Sequence, residues 1–328
     1  MSYIIESLRV LFGAIPNRPA PDEITPEAQE IHLYKKQNPF NKAEFEKIYE
    51  QAAERPAPHK WRNRRWITLI LVNFLFLGSF YFDVQLLEGA LTASRFVGFH
   101  MADLNSALQV MLAYKIVVLN LIIGTVTIFI MWVLLGGRTF CSWVCPYHLV
   151  AEWAEELHLW LAKKKIVRDR PFKRGVRTVL YVIFALLAFA SGYTVFETIS
   201  PTGILSRAII YGPGLALIWV GILLLIEVFY SRRLWCRYVC PIGITYGVVG
   251  VISPLRIRHN VKDCHHEGDC RKVCLVPHVL SMTTKGRSPD VEQDLGADCT
   301  RCGLCVDICP TGSLRFEMKG LGKHLKNE

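Results

Sequence analysis

The stretch Cys299-Thr300-Arg301-Cys302-Gly303-Leu304-Cys305-Val306-Asp307-Ile308-Cys309-Pro310 decides the fold of the carboxyl-terminal region. Its spacing is C-x2-C-x2-C-x3-C-P. In this run three thiolates bind one 4Fe-4S cluster, and the fourth binds a neighbouring cluster. A structural zinc site would use two separated C-x2-C pairs, so four cysteines this close together favour the iron-sulfur cluster.

An incomplete copy of this run lies upstream. Cys264, Cys270 and Cys274 occupy its first, third and fourth places, whereas Glu267 stands in the second. Because fourth ligands cross over between two such runs, the pattern predicts two neighbouring clusters. Their predicted ligands are Cys299, Cys302, Cys305 and Cys274 for a 4Fe-4S cluster, and Cys264, Cys270 and Cys309 for the second cluster.

The second of these clusters lacks one thiolate. It is predicted to be a 3Fe-4S cluster, or a 4Fe-4S cluster whose remaining iron takes Glu267, His265, His266 or water. In the alternative interpretation no second cluster assembles, and Cys264 and Cys270 are ordinary thiols.

The composition of the 328-residue chain indicates a membrane protein. Hydrophobic residues make up 52% of it, and the net charge is +10. The basic residues gather at the ends of apolar runs, which favours membrane topology and argues against nucleic-acid binding. All eleven cysteines fall into motifs. Sites of this kind are assembled in a reducing compartment, so structural disulfides are not expected.

Four apolar stretches are predicted to be membrane-spanning helices. They cover residues 66–87, 113–135, 176–196 and 215–230. The densest basic run, at residues 163–177, lies between the second and third stretches, and the positive-inside rule places it in the cytoplasm. Both termini are therefore expected in the cytoplasm. The apolar residues 244–255 end at Ser253-Pro254 and are predicted to be a short interfacial segment.

Two cysteine boxes follow the second and fourth of these stretches. Residues 138–146 read RTFCSWVCP and residues 233–241 read RLWCRYVCP, so the arginine, both cysteines and the proline recur in register. The membrane domain is therefore predicted to be two repeats of a helix pair plus a box.

One 4Fe-4S cluster takes four thiolate ligands, and the two boxes together supply four. We hypothesise that the two boxes share an iron-sulfur cluster and that Arg138 and Arg233 offset its negative charge. The ligands would be Cys141, Cys145, Cys236 and Cys240. Redox-active dithiols, or a soft-metal site that selects Cu(I), are the alternatives.

Two pairs of side chains are candidates for accepting protons from a quinol. His148 and Glu152 lie one helical turn apart just after the first box, and they are the favoured catalytic pair. His100 and Asp103, between the first two apolar stretches, are the rival pair. A histidine and a carboxylate at this spacing also commonly form a surface pair without catalytic function.

The amino-terminal 60 residues are predicted to be a cytoplasmic extension. Apolar residues at helical spacing within residues 1–13 predict an amphipathic helix on a membrane or partner surface. The prolines from Pro16 to Pro26 indicate a linker, and residues 41–44 resemble a helix start. A simple tether is the alternative.

The boxes, the apolar stretches and the cysteine-rich tail resemble the NapH/MauN type of membrane-bound ferredoxin proteins over about residues 60–318. The resemblance implies a bacterial inner-membrane, multi-pass quinol dehydrogenase component. Such a component passes electrons between the membrane quinone pool and another redox subunit, an iron-sulfur protein or a cytochrome. The family's box and cluster cysteines map onto the eleven cysteines of this chain, whereas Glu267 stands where the eighth cluster cysteine is expected.

The predicted fold is an all-α membrane domain of four transmembrane helices, arranged as two helix-pair repeats, followed by a small α+β ferredoxin-like domain. The predicted boundaries are 1–60 for the extension, 61–255 for the membrane domain, 256–318 for the iron-sulfur domain and 319–328 for the tail. The predicted function is electron transfer with quinone or quinol as a second cofactor. The alternative is a factor that reduces copper or matures another enzyme.

Overall fold

The computed structural model describes residues 3–38, 46–48, 50, 59–83, 87–91, 93–96 and 98–319. Helices dominate as far as residue 252, and a small mixed domain follows. The α-helices of the first part are α1 (Tyr3–Leu11), α2 (Pro26–Gln37), α3 (Lys60–Tyr81), α4 (Leu104–Tyr114), α5 (Leu119–Leu135), α6 (Thr139–Trp143), α7 (Pro146–Lys163), α8 (Val176–Ser191), α9 (Val195–Ile199), α10 (Pro201–Tyr211), α11 (Ala216–Phe229) and α12 (Ile242–Ile252).

The four-span membrane domain predicted from the sequence is wrong. Among the residues that the structure describes, no helix combines the length and the apolar character needed to cross a bilayer. Helix α3 has 22 residues but opens with four basic side chains within its first six. Helices α5, α8 and α11 have 17, 16 and 14 residues, fewer than the roughly 20 apolar residues that a span requires. The predicted multi-pass inner-membrane location depended on these spans and is corrected with them.

A glycine marks the end of two of these helices. Gly136 and Gly192 follow α5 and α8 with φ of 114° and 66°, a left-handed conformation that ends a helix and that glycine adopts without strain. Gly137 also has positive φ, and a Cβ there would lie 2.5 Å from the backbone nitrogen of Gly250 in α12. This close approach fixes where the chain turns from α5 into the first cysteine box.

A three-stranded antiparallel sheet replaces part of the predicted connecting segment. Strands β1 (Leu87–Ala90), β2 (Ala93–Phe96) and β3 (Phe99–Ala102) form a meander in which Arg95 pairs with His100. Asp103 follows β3 directly and caps α4, because its carboxylate accepts hydrogen bonds from the backbone N–H groups of Asn105 and Ser106.

The small α+β domain predicted for the tail is present. Strand β4 (Leu255–Asn260) lies between β5 (Glu292–Asp294) and β6 (Leu314–Met318), and both pairings are antiparallel. Two short helices, α13 (Asp269–Lys272) and α14 (Leu304–Ile308), carry cysteines of the two runs. Cysteine side chains contribute to the buried core of this domain together with Ile257, Leu280 and Leu314.

The amino-terminal helix packs onto the rest of the chain. Leu11 is 1% exposed and fills the space beside Gly247 of α12. The Ser7 hydroxyl accepts a hydrogen bond from the backbone N–H of Ala297, and Arg177 donates to the Leu11 carbonyl. Leu11 of the predicted apolar face therefore contacts α12, whereas Ile4, Ile5 and Phe12 of that face are exposed. The predicted helix start at residues 41–44 lies outside the described residues.

Candidate iron-sulfur centres

The two cysteine boxes have the same local architecture. Each box is one short helical turn, at Thr139–Trp143 and at Trp235–Val239, which leads into a cysteine followed by proline at the start of a helix. Backbone N–H groups of the first helical turn point at the thiol of Cys145 in one box and of Cys240 in the other. Donors at a helix start stabilise a thiolate, because the helix dipole favours negative charge there.

The four box cysteines meet in one small enclosed cavity. They belong to two boxes more than ninety positions apart in the chain, and they share this cavity with Arg138, Thr202 and Leu275. The four are Cys141, Cys145, Cys236 and Cys240. The Thr202 hydroxyl lies 3.2 Å from the Cys145 sulfur. The structure thus brings together all four side chains that were predicted to share a centre.

One arginine of each box lies beside a cysteine of the same box. Burial raises the pKa of Cys141, and Arg138 opposes this through its charge and a hydrogen bond. Burial likewise raises the pKa of Cys236, and Arg233 opposes it. Both guanidinium groups are therefore placed to offset negative charge on the box thiolates, as the sequence suggested.

A second group of cysteines lies in the tail domain. Burial raises the pKa of Cys274 well above its ordinary value, and the nearby thiols of Cys302 and Cys299 raise it further. Burial also raises the pKa of Cys305 well above its ordinary value, and the thiols of Cys274, Cys302 and Cys299 raise it further. The backbone N–H of Arg301 donates to the Cys299 sulfur over 3.4 Å. These four thiols are the predicted ligands of the first tail cluster.

The third group combines three cysteines with a carboxylate. Cys264, Cys270 and Cys309 line one small cavity together with Glu267. The Oε1 atom of Glu267 is buried and has no hydrogen-bond partner within the described part of the chain. His266 also lines the cavity, but its Nδ1 lies 2.8 Å from the backbone oxygen of Thr283. The unpartnered carboxylate oxygen fits a fourth ligand at this site, since buried carboxylates otherwise acquire a partner.

The donor chemistry of all three groups fits iron-sulfur clusters. Burial raises the pKa of Cys145, Cys264 and Cys299 to about 11, so these thiols are neutral unless a metal binds them. Redox-active dithiols need the opposite, a lowered pKa and some access to solvent. Within the described ranges, no three His, Cys, Asp or Glu side chains are grouped to hold a single metal ion. Ligands of a cluster bind different irons and stand farther apart than ligands of one ion.

The three groups of thiols adjoin one another. Cys236 of the second box packs against the core around the boxes and against the core of the tail domain. Leu275, next to Cys274, lines the box cavity. Cys270 of the third group is close enough to raise the pKa of Cys274, after burial and the nearer thiols. The order along the molecule is therefore the boxes, the first tail group and the second tail group.

A buried carboxylate holds the boxes against the tail, and sequence reasoning missed it. Asp298 precedes Cys299, and it forms an ion pair with Arg138 of the first box and with Arg177 of α8. His278 lies 2.6 Å from its other oxygen. Although burial alone would raise the pKa of Asp298, the Arg177 and Arg138 guanidiniums hold it well below its usual range. Asp298 stands one residue before the complete cysteine run, but sequence spacing gives no sign of its distant partners.

His148 and Glu152, the predicted proton acceptors, lie in a buried ion-pair network beside the box cavity. Arg65 of α3 donates to both Glu152 oxygens at 2.5 and 2.6 Å and lies 3.0 Å from His148 Nε2. Burial and the guanidiniums of Arg233 and Arg65 hold the pKa of His148 well below its ordinary value. A histidine whose pKa is lowered in this way is a weak proton acceptor, and the proton-accepting role of this pair stays a prediction.

The structure separates the two members of the rival pair. His100 is exposed on β3 beside Arg95, whereas Asp103 is buried and accepts a hydrogen bond from the Tyr246 hydroxyl over 2.6 Å. Tyr246 was not recognised from the sequence, because its position in an apolar helix far along the chain carries no motif.

Replacing Glu267 tests the second tail site. We expect Glu267→Ala to lower the iron and sulfide retained by anaerobically purified protein, because one ligand is lost, while Glu267→Cys supplies a fourth thiolate and retains a 4Fe-4S cluster. The exposed Glu30→Ala on α2 is the matched control. Iron content and low-temperature EPR that are identical in Glu267→Ala and the control would remove Glu267 from the ligand set.

Comparisons with known proteins match the two boxes and the complete cysteine run. A family profile described as "4Fe-4S binding domain" matches residues 117–168 and 212–258, and each of these segments contains one box. A second profile with the same description matches residues 297–315 of the tail. No solved structure matches the chain.

Curated relatives match most of the chain. The methylamine utilization ferredoxin-type protein MauN of Methylorubrum extorquens is 33% identical over 265 residues, which cover 80% of this chain and 90% of the relative. MauN of Paracoccus denitrificans is 33% identical over 245 residues, which cover 74% and 84%. The ferredoxin-type protein NapH of Escherichia coli is 30% identical over 257 residues, which cover 76% and 88%.

Proposed function

Because the chain belongs to the family of MauN and NapH ferredoxin-type proteins, we propose that it carries electrons between a quinol and a redox partner subunit through three iron-sulfur centres. The family and the 4Fe-4S domains support the coarser statement, that this is an iron-sulfur electron-transfer protein. The number of centres, the quinol and the nature of the partner are the proposed parts.

The observation that carries the proposal is the gathering of all eleven cysteines, buried or half-buried, into three adjoining groups. Bound iron-sulfur clusters would supply sites that accept and release one electron each. Two contacts support this order of centres: Cys236 packs against both cores, and Asp298 joins the first box to the first tail run. A row of centres inside a protein core suits electron transfer, and the protein's part is ligation, position and local electrostatics.

The residues of each centre follow from the groups described above. The first centre would be held by the four box cysteines, and the second by Cys274 with the first three cysteines of the complete run. The third would be held by Cys264, Cys270, Cys309 and Glu267. Oxidation of one quinol releases two electrons and two protons, so the electrons would enter the row one at a time and the protons would pass to nearby side chains and solvent. The partner subunit would be an iron-sulfur protein or a cytochrome.

Anaerobic redox exchange tests this function. Oxidised protein is mixed with menadiol, dithionite-reduced protein is mixed with menadione, and the visible absorbance of the clusters is followed. We expect exchange in at least one direction, with a rate proportional to quinol or quinone concentration at low concentrations. Clusters that respond to dithionite but in neither direction to quinol or quinone would overturn the quinol part. Reduction of Cu(II) by such an unresponsive protein would support the copper-reducing alternative instead.

A further inference from the structure

A large apolar cavity lies beside the first box, on the side away from the box cysteines. Its volume is about 600 Å³, within the range of small-molecule sites. Helices α3 and α5 supply the largest shares of its wall, and the first box, α12, β2, β3 and the tail domain complete it. Large apolar side chains dominate the wall, among them Phe76, Ile128, Met131, Trp132 and Phe140.

A buried hydrogen-bonded pair interrupts this apolar wall. The Tyr246 hydroxyl donates to Oδ1 of Asp103 over 2.6 Å, while Oδ2 of Asp103 caps α4. Asp103 and Tyr246 are 5% and 1% exposed. The Tyr246 ring stacks on Phe140 with centroids 4.9 Å apart. A carboxylate and a phenol at a mainly apolar wall are groups that fix the orientation of a ligand bearing a hydroxyl or carbonyl.

The cavity adjoins two of the three cysteine groups. Phe140 lines both this cavity and the box cavity, and Cys141 follows it in the chain. Arg301, which lies between Cys299 and Cys302 of the first tail run, lines the cavity from the other side. The Trp143 indole N–H donates to the Arg301 carbonyl over 3.0 Å and ties the two sides together. A ligand here would therefore lie next to the ligands of both the box centre and the first tail centre.

We propose that this cavity is the binding site for the quinone or quinol ring, oriented by the hydroxyl of Tyr246 and the carboxylate of Asp103. The inference rests on the proposed function and deepens it by locating the quinol. An aromatic ring in the cavity would pack against the apolar wall to which Trp132 and Phe140 contribute, and its oxygen would find a polar partner in the Asp103–Tyr246 pair. A lipid acyl chain would fill the same volume but would form no hydrogen bond with the pair.

Photolabelling and equilibrium binding test the site without relying on turnover. The oxidised, cluster-loaded full chain is irradiated with an azido-substituted menaquinone of short prenyl tail, and the labelled peptides are identified by mass spectrometry. The dissociation constant of the unsubstituted short-tailed menaquinone is measured on the same protein by equilibrium dialysis. We expect label on peptides of α5 and α12 that contain Met131, Trp132 or Tyr246.

Three substitutions are expected to change quinone labelling or binding by different amounts. Met131→Trp fills the cavity and should abolish saturable labelling. Tyr246→Phe removes one hydrogen bond and should weaken binding about 2- to 10-fold, because such a bond contributes roughly 0.5–1.5 kcal/mol. Asp103→Asn keeps a residue that caps α4 well, so it should alter binding without unfolding the helix. The exposed Tyr193→Phe, which lies outside the cavity, is the control for Tyr246→Phe.

The outcomes separate this inference from the function on which it rests. Label on the helix that carries His148 and Glu152, with normal binding by Met131→Trp, would overturn the cavity site while quinol exchange stands. Organic extracts that contain acyl lipid as the only cavity ligand, together with unchanged menaquinone binding in all three variants, would also overturn it. Absence of any saturable quinone binding, together with absence of redox exchange in the wild-type protein, would instead remove the proposed quinol function.

Discussion

Asp298→Asn is expected to lower the free energy of unfolding by about 3–5 kcal/mol, because it leaves buried arginines without their counter-charge. Asp298 pairs with Arg138 and Arg177 and hydrogen-bonds with His278, and all of these groups are fully or largely buried. A neutral amide keeps the shape of the side chain but not its charge. The cost is therefore electrostatic, since the volume of the side chain hardly changes.

The measurement is urea unfolding of anaerobically purified protein, followed by circular dichroism. Asp22→Asn on an exposed turn is the matched control, with an expected change within about 0.5 kcal/mol. Asp298→Glu keeps the charge, so its free energy of unfolding should lie between those of Asp298→Asn and Asp22→Asn. An Asp298→Asn midpoint equal to that of the control would contradict the ion-pair account of how the boxes and tail are held together.

The second large effect is expected when cysteines are removed from one box. If the boxes share a cluster, Cys141→Ser with Cys145→Ser should remove the whole centre, which corresponds to a loss of about four iron and four sulfide per chain. Cys236→Ser with Cys240→Ser should do the same, and combining all four substitutions should add nothing. This non-additivity follows because two thiolates cannot hold the cluster alone.

The alternatives predict other results for the same variants. Two independent dithiols would leave iron and sulfide unchanged in every box variant. If each box held its own metal site, each box variant would lose only the metal of that site. The variant with all four substitutions would then lose the sum of the two. Cys299→Ser serves as the reference, because it should affect the first tail centre and spare the box centre. Iron and sulfide unchanged by both box variants would end the shared-cluster hypothesis.

Cysteine spacing predicted which thiols meet, because cluster chemistry restricts the arrangement of its ligands more tightly than most folding rules do. The box cysteines lie in one cavity as the repeat predicted, and Glu267 stands at the site with one missing thiolate. Crossing of Cys274 and Cys309 between the runs also followed from the motif. These relations depend on local spacing and on a known ligand number.

Hydropathy over-predicted the membrane domain. Runs such as residues 66–87 and 113–135 have the average hydropathy of a membrane-spanning helix. Average hydropathy does not show where a helix stops. The observed α5 begins only at Leu119 and ends at a left-handed Gly136, and α3 includes four basic residues at its start. The apolar length of each helix therefore depends on the backbone preference of single residues and on the charges at its ends, which an average over a window does not show.

Polar contacts between residues far apart in the chain could not be predicted from the sequence either. Asp298 meets Arg138 and Arg177 from more than a hundred residues away, and Tyr246 meets Asp103 across a similar separation. His148 and Glu152 lie on one helix face as predicted, but the side chain of Arg65 fills the space between them and α3. Helical spacing cannot show which charged groups other elements bring to that face.

The most direct test of the central claim is a redox titration of anaerobically purified protein, followed by low-temperature EPR with iron quantification. Three adjoining centres predict roughly eleven or twelve iron atoms per chain and three sets of redox-dependent signals, the lower number applying if the Glu267 site holds a 3Fe-4S cluster. Close centres should also broaden one another's signals when reduced together. About eight iron atoms with two sets of signals, or protein free of inorganic sulfide, would contradict the account.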